Sequence, residues 1–269
     1  MEKLTQIKLI VADLDGTLLD EKKEIDRDIY SLIPIMKERG ISFSLGSGRN
    51  MHIMQDFVSQ LQLDVPYITN NGANMFQGNH CIYECRIATS DLLLALTLLE
   101  QAEIPFLVYS NHAVYPFKAH PELSLFMERL QGKSDIVKIT KISDIIGCSV
   151  FKVVMIDENT SRMTNLMEQI NRQCEKAHCV RSEGNVYTLT HIDATKGNTL
   201  KKLLSYLNID PKEVLVFGDN YNDISMFQVA GYSVAMGNSM KEIQTKATFV
   251  TKSNEEHGVS WFIRKFMIE

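Results

Sequence analysis

No apolar run in this chain reaches the ~18 residues that a membrane-spanning helix needs, and nothing at the N-terminus reads as a secretory leader. The expectation is a cytoplasmic protein without a membrane partner. Basic blocks are absent too. The 28 Lys and Arg are outnumbered by 33 Asp and Glu, giving a formal net charge of −5. A nucleic-acid partner needs a positive footprint that such a chain does not offer. Cysteine is sparse, five in all, and an odd number makes no disulfide framework. Cys81 and Cys85 lie four apart, Cys174 and Cys179 five apart. Zinc pairs are commonly C-x2–4-C, so a site with His80 or His178 is the lesser reading, and free thiols in ordinary elements the greater. The seven histidines show no metal-ligand spacing; His112 and His191 are the two placed to approach a substrate. There is no G-x-x-x-x-G-K-[ST] loop. Gly46-x-Gly48 begins a dinucleotide fingerprint, but the third glycine's place is taken by Met51. Repeats and low-complexity tracts are also missing.

What remains is an ordinary globular composition, 45% apolar, in 269 residues. At ~150 residues per domain, that length suggests two domains. Its most informative stretch is Asp13-Leu14-Asp15-Gly16-Thr17, which follows the apolar run Leu9-Ile10-Val11-Ala12. Such a run between polar flanks fits a central strand of a parallel sheet. These sheets deliver reactive groups just past the carboxyl ends of their strands. Two carboxylates two residues apart on extended backbone share a side, and at ~4 Å they repel by about 4 kcal/mol at an effective dielectric near 20. A cation or a proton relieves that. A second acidic cluster, Gly218-Asp219-Asn220-Tyr221-Asn222-Asp223, follows another buried run, Val214-Leu215-Val216-Phe217. Ser47-Gly48-Arg49 follows the strand-like Ile41–Leu45, and Lys196-Gly197 opens a helical stripe. Together these pieces are an inventory for a metal ion and a phosphate.

Strand-like and helical patterns alternate up to residue 70, as a βαβαβ run that predicts a right-handed parallel sheet. Pro34 predicts a kink or a late start in the first helix. After Gly72 the texture changes. A hairpin around Gly78-Asn79 leads into a Leu-rich helix over 91–102, paired strands near 106–115, a strand over 151–156, a helix marked by Met163, Leu166 and Ile170, and a closing strand over 185–189. This is an inserted α/β domain, 83–188, in a core made of 1–82 and 189–269. The Leu-rich helix is apolar nearly all round, so it is buried on more than one side. Packing within the insert and a dimer contact both satisfy that, leaving monomer and homodimer open.

In order, Asp13-x-Asp15-Gly16-Thr17, Ser47-Gly48-Arg49, Lys196 and Gly218-Asp219-x-x-Asn222-Asp223 match four motifs. On these the chain resembles the haloacid-dehalogenase-like (HAD) phosphohydrolases of the Cof type, with a large α/β (C2-type) cap. Asn70-Asn71-Gly72-Ala73, Ala235-Met236-Gly237-Asn238 and Glu256-His257-Gly258-Val259 match as well. The resemblance implies a Rossmann-like, doubly wound parallel sheet and a Mg2+-dependent phosphatase of small phosphorylated metabolites, acting through an aspartyl-phosphate. It implies Asp13 as nucleophile and Asp15 as general acid, then base. The ion would lie on Asp13, Asp219 and the backbone carbonyl of Asp15. Ser47, Gly48 and Lys196 would hold phosphate. Asn222 would touch phosphate, fix Asp223 or cap a helix. Asp223 would orient waters around the ion or stabilise the next helix. Arg49 would bind phosphate or pair with an acid. A phosphosugar mutase on the same fold is the alternative. A non-catalytic phospho-acceptor module fits less well, because Asp15 and the insert argue for turnover.

Overall fold

The computed structural model describes residues 4, 6–110, 113–118, 120–128 and 135–268. The chain divides into two compact units, Met1–Glu84 with Thr195–Glu269, and Cys85–Ala194. The sequence-based boundaries at 82/83 and 188/189 fall slightly earlier. The final strand of the insert runs on through His191, which pairs with Ala177. No helix among the described residues is long and apolar enough to cross a membrane.

The first unit begins β1 (Leu9–Ala12), α1 (Arg27–Glu38), β2 (Ser42–Leu45), α2 (Met51–Gln60), β3 (Tyr67–Thr69), β4 (Asn74–Gln77) and β5 (His80–Glu84). The second holds α3 (Thr89–Gln101), β6 (Phe106–Ser110), β7 (Ala113–Phe117), α4 (Pro121–Glu128), β8 (Asp135–Ile136), β9 (Val150–Ile156), α5 (Thr160–Gln173), β10 (Ala177–Glu183) and β11 (Val186–His191). The first then resumes with α6 (Lys196–Leu207), β12 (Val214–Gly218), α7 (Ile224–Phe227), β13 (Tyr232–Ala235), α8 (Lys241–Gln244), β14 (Phe249–Val250) and α9 (Gly258–Ile263).

The first unit is built on a parallel sheet of order β14-β13-β12-β1-β2. Strand β1 is central and apolar on both sides for a reason. Ile10 and Ala12 enter one cluster with α1 and α9, while Leu9 and Val11 enter another with α6 and α7. From β1 the chain moves outward to β2, whereas β12 to β14 are laid down on the other side. The order therefore reverses between β1 and β12, and in open α/β sheets ligands gather at that crevice.

Two expectations need correction. The βαβαβ pattern makes β3 a third parallel strand, yet it meets β2 through a single parallel bridge, Gly46 to Ile68. Its main partner is β4, antiparallel. The cause lies in Asn70, Asn71 and Gly72, with φ of 51°, 56° and 95°. These left-handed residues turn the chain straight back on itself, so no helix crosses over. Of the kink and the late start expected at Pro34, the late start does not occur, since α1 runs from Arg27 to Glu38 across it; a proline removes one internal hydrogen bond from a helix interior.

The second unit is a sheet of order β10-β11-β9-β6-β7-β8. Helices α3 and α5 pack on one face, where Phe106, Val108, Val153, Met155, Tyr187 and Leu189 form the core. Leu92, Ala95, Leu96 and Leu99 of α3 are buried in that cluster, and Leu94 and Leu98 pack partly against it. Packing inside the unit thus accounts for the apolar girth of this helix. None of the five cysteines is in a disulfide.

Gly72 tests the turn after β3. A Cβ on it would lie 2.2 Å from the Thr195 carbonyl oxygen, and its carbonyl accepts from the Thr199 hydroxyl at 2.5 Å. Gly72→Ala should lower stability by about 2–5 kcal/mol, combining left-handed strain with overpacking. Urea denaturation measures this. A loss below about 1 kcal/mol, the size of an ordinary surface effect, would show that the backbone has room to spare.

Candidate active site

Four chain segments converge at the carboxyl end of the parallel sheet. Strand β1 hands over to Asp13, whose N–H donates to the Phe217 carbonyl at 3.1 Å. The chain then curls, with the N–H groups of Thr17, Leu18 and Leu19 all donating to the Leu14 carbonyl. Gly16 (φ 75°) allows this curl to press on the next segment: a Cβ there would sit 2.4 Å from Asp219 Oδ2. The Thr17 hydroxyl donates to Asp219 Oδ1 at 3.1 Å.

Lys196 opens α6, behind the N-cap of Thr195, whose Oγ1 accepts from the Asn198 N–H. Its ammonium donates to Asp13 Oδ1 at 2.8 Å and to Asp223 Oδ1 at 2.6 Å. Lys196 is 1% exposed and Asp223 0%, so these ion pairs are dry. The other oxygen of Asp223 accepts the N–H groups of Asp219 at 3.0 Å and Asn220 at 3.1 Å. Both oxygens of Asp223 are thereby committed to holding its neighbours. The open alternative of a helix-stabilising carboxylate is realised within its own loop, as the capping partner of Asn220.

Asp15 is arranged otherwise. Arg49 grips it with two bonds, Nε to Oδ2 and Nη2 to Oδ1, both 2.7 Å, and Lys23 adds a third at 2.9 Å. Of the two readings for Arg49, the acid pair is the one formed; its guanidinium also lies 5.2 Å from the centre of the Phe57 ring. Ser47 is buried after β2, its hydroxyl accepting the Arg49 N–H at 3.2 Å. Beside it, a Cβ on Gly48 would lie 2.8 Å from Asn71 Oδ1. Asn222 donates to that same Asn71 oxygen at 2.9 Å. It caps no helix; Asn220 does.

A family model for haloacid dehalogenase-like hydrolases matches residues 10–263. The chain belongs to that family. Among its relatives, YxeH of Bacillus subtilis (strain 168) is 30% identical over 271 residues, covering 97% of this chain and 98% of that one. The 5-amino-6-(5-phospho-D-ribitylamino)uracil phosphatase YwtE of the same organism is 27% identical, with 97% and 98% covered. A haloacid dehalogenase-like hydrolase of Bacteroides thetaiotaomicron has a similar structure, with a TM-score of 0.84, 26% identity and 96% and 99% coverage. The chain is a Cof-type HAD phosphatase, a hydrolase of phosphoric monoesters.

Several contacts in this HAD site had little sequence signal. Lys23 lies in a charged stretch and reads as surface. Asn238 donates to the Gly16 carbonyl at 2.8 Å and Asn254 to the Leu19 carbonyl at 2.9 Å, clasping the curl after Asp15. The motif around Asn238 was visible, but its partner was not. In the second unit, the His191 ring accepts the Asp193 N–H at 3.1 Å, and His112 lies outside the described residues.

Electrostatically the site is overloaded with negative charge. One oxygen each of Asp13, Asp219 and Asp223 fit within 4.8 Å of one another, with one ammonium among them. Burial pushes Asp13 up to about 7; the Lys196 charge opposes this, while Asp223 and Asp219 add to it. Burial and then the Asp223 charge push Asp219 up to about 6. Burial would raise Asp15 as well, but Arg49 and Lys23 outweigh it and hold it at about 2. Lys196 is raised, since two carboxylates overcome its desolvation.

The sign of the pH dependence follows. Asp13 and Asp219 bind protons more tightly folded than unfolded, so the stability tied to them is present at low pH and is lost as pH rises from about 4 to about 7. Asp15 acts oppositely, but its contribution is complete above about pH 4. In chelator, the melting temperature should therefore fall between pH 4.5 and 7.5, and Asp13→Asn should flatten the fall. A melting temperature that rises across this range in chelator, equally in both proteins, would contradict it.

Proposed function

We propose that this HAD phosphatase is Mg2+-dependent, that it forms an aspartyl-phosphate on Asp13, and that its substrates are small phosphorylated metabolites such as sugar phosphates. The observation that carries the reading is the Asp13 carboxylate at the sheet switch point, gripped by a buried Lys196 and crowded by Asp219. The donor set fits the ion. Hard carboxylate oxygens suit Mg2+, and the excess negative charge that lifts Asp13 and Asp219 is what a cation relieves. Asp13 and Asp219 would hold it, with the Asp15 carbonyl. Asp223 is spent on Lys196 and two N–H groups and acts by fixing the Asp219 loop. When bound, the ion supplies charge neutralisation between nucleophile and phosphate.

The rest is the work of side chains. The free oxygen of Asp13 attacks phosphorus and the P–O bond to the alcohol breaks. Lys196 holds the other Asp13 oxygen, which fixes the line of attack and offsets charge as it builds. Ser47 and the N–H groups of its loop would take the phosphoryl oxygens. Asp15 would give its proton to the departing oxygen, then take one from the water that cleaves the acyl phosphate. Held by Arg49 and Lys23, Asp15 is ionised, the state suited to the second step. Donating in the first step requires it to part from Arg49. The substrate class is supported by the related uracil-ribityl phosphatase, named for a small phosphomonoester.

A phosphate-release screen over phosphorylated metabolites is the primary test; isomer in place of free phosphate would redirect the reading to a mutase. Activity should vanish in chelator and return with Mg2+, with Ca2+ a poor substitute because its looser shell spoils in-line geometry. Full activity in excess chelator would sink the metal assignment. Asp13→Asn should form no phosphoenzyme. Asp15→Asn should lose about 10²–10⁴-fold in kcat, the range of general acid–base help, and should accumulate alkali-labile phosphoenzyme. A phosphoenzyme on the Asp13→Asn chain would place the nucleophile elsewhere.

A further inference from the structure

Strand β3 runs into Asn70-Asn71-Gly72, all with left-handed backbone. Asparagine and glycine adopt that conformation most readily. A turn by itself would be served by glycine at each place. Residue 71 carries an amide instead, and its surroundings show what the amide holds.

The turn is tied to three other segments of the first unit. The Asn70 N–H donates to the Arg49 carbonyl at 2.9 Å and the Asn71 N–H to the Ser47 carbonyl at 3.0 Å, so its backbone grips both neighbours of Gly48. The Gly72 carbonyl accepts from the Thr199 hydroxyl of α6, the helix that Lys196 opens. The Asn71 side chain makes the third tie: its Oδ1 accepts from Asn222 Nδ2 at 2.9 Å. That same oxygen lies against Gly48, where a Cβ would approach it to 2.8 Å. Backbone and side chain therefore have separate duties. The backbone fixes the Ser47–Arg49 loop, and the amide reaches the Asn222 loop.

Asn222 is exposed and Asn71 half-buried. An asparagine amide in water turns freely, and its two ends act oppositely on an anion. The N–H end donates to a phosphoryl oxygen, whereas the carbonyl end repels it. The bond to Asn71 settles which end faces the loop. It holds the Asn222 nitrogen on the oxygen that lies against Gly48 and uses one of its two N–H groups, leaving the other for a further acceptor.

We propose that Asn71 is a positioning residue for phosphate binding: it orients the Asn222 amide so that an N–H, and not the carbonyl, is turned to the phosphoryl group at the Ser47-Gly48 loop. This rests on the phosphate-holding roles read for Ser47, Gly48 and Asn222. Asn71 acts through Asn222, so its worth is that of an amide ordered in advance and not that of a contact of its own.

Asn71→Gly separates the two duties, because glycine keeps the left-handed backbone and removes only the amide. Its melting temperature should stay within about 3 °C of the unmodified chain, the shift that ~1 kcal/mol produces at this size. The binding readout is calorimetric titration with inorganic phosphate in Mg2+, on the full chain, Asn71→Gly, Asn222→Ala and the double variant. Asn222→Ala should weaken phosphate about 10–100-fold, the worth of one hydrogen bond to a charged group. Asn71→Gly should weaken it about 2–10-fold, the cost of ordering one side chain on binding. The double variant should bind as Asn222→Ala does, since nothing is left to orient. With p-nitrophenyl phosphate, Asn71→Gly should raise KM and leave kcat within about twofold. Additive losses in the double variant, a fall in kcat at constant KM, or weaker binding accompanied by a clear fall in melting temperature would each overturn the proposal. Unchanged binding in Asn71→Gly beside weakened binding in Asn222→Ala would overturn it alone and leave the phosphate site standing. Unchanged binding in Asn222→Ala would overturn it together with the phosphate role of Asn222.

Discussion

The buried contact of Lys196 with Asp13 and Asp223 is the constraint on which the first unit's site depends. Three separate costs meet in it. An ammonium is taken out of water, two carboxylates are taken out with it, and the cation sits in the first turn of α6, the positive end of that helix. None of this favours folding by itself. It persists because the partners come from far apart in sequence, 183 and 27 residues away, and the ammonium is what keeps two strand ends and a helix start in register. Removing one partner of such a buried cluster typically costs ~3–5 kcal/mol, because it strands the others.

From that anchor the remaining geometry follows in order. Asp223, held by Lys196, holds the N–H groups of Asp219 and Asn220 with its second oxygen. Asp219 is then presented to the curl after Asp13, which approaches it closely only because residue 16 has no side chain. Asn238 and Asn254 clasp the outer side of the curl through its carbonyls. The parallel sheet supplies the platform, and Asp13 stands at its edge where the strand order reverses between β1 and β12. Precision at the site is therefore inherited from the buried Lys196 ion pairs, from side chains tied to backbone groups and from close approaches.

Much of this was legible in the chain. Apolar runs buried on both faces announce β1 and β12, and the acidic residues just past them declare the edge where chemistry collects. Lys196 was legible only through its place in a series of motifs, since an isolated lysine at a helix start ordinarily reads as surface. Arg49 carried two readings because its partner was one of several acids, and sequence spacing does not choose among them. Asn222 is tied to Asn71, 151 residues away, a contact no local pattern encodes. The turn at Asn70–Gly72 misled the reading of β3, because strand periodicity says that a segment is extended but not which neighbour it takes.

The two aspartates of the first motif are pushed in opposite directions, and the order of events follows from that. Separating the pKa values of neighbouring carboxylates is how one site runs both acid and base chemistry. Without a cation the separation is inverted relative to the proposed roles: Asp13, the nucleophile, is lifted to about 7, while Asp15, the acid, is held at about 2. A nucleophile must be ionised and an acid protonated, so both environments have to change before phosphoryl transfer. Positive charge beside Asp13 and Asp219 restores the first. The second needs Asp15 to leave its cations. Lys23 has a long exposed side chain, which makes its bond to Asp15 easy to exchange, but Arg49 is packed on Phe57 and grips with two bonds. The Arg49 pair is thus the stronger restraint. On the proposed roles it would keep Asp15 ionised until a ligand offers that carboxyl group a better partner, which would couple protonation of the acid to the arrival of the ester it serves.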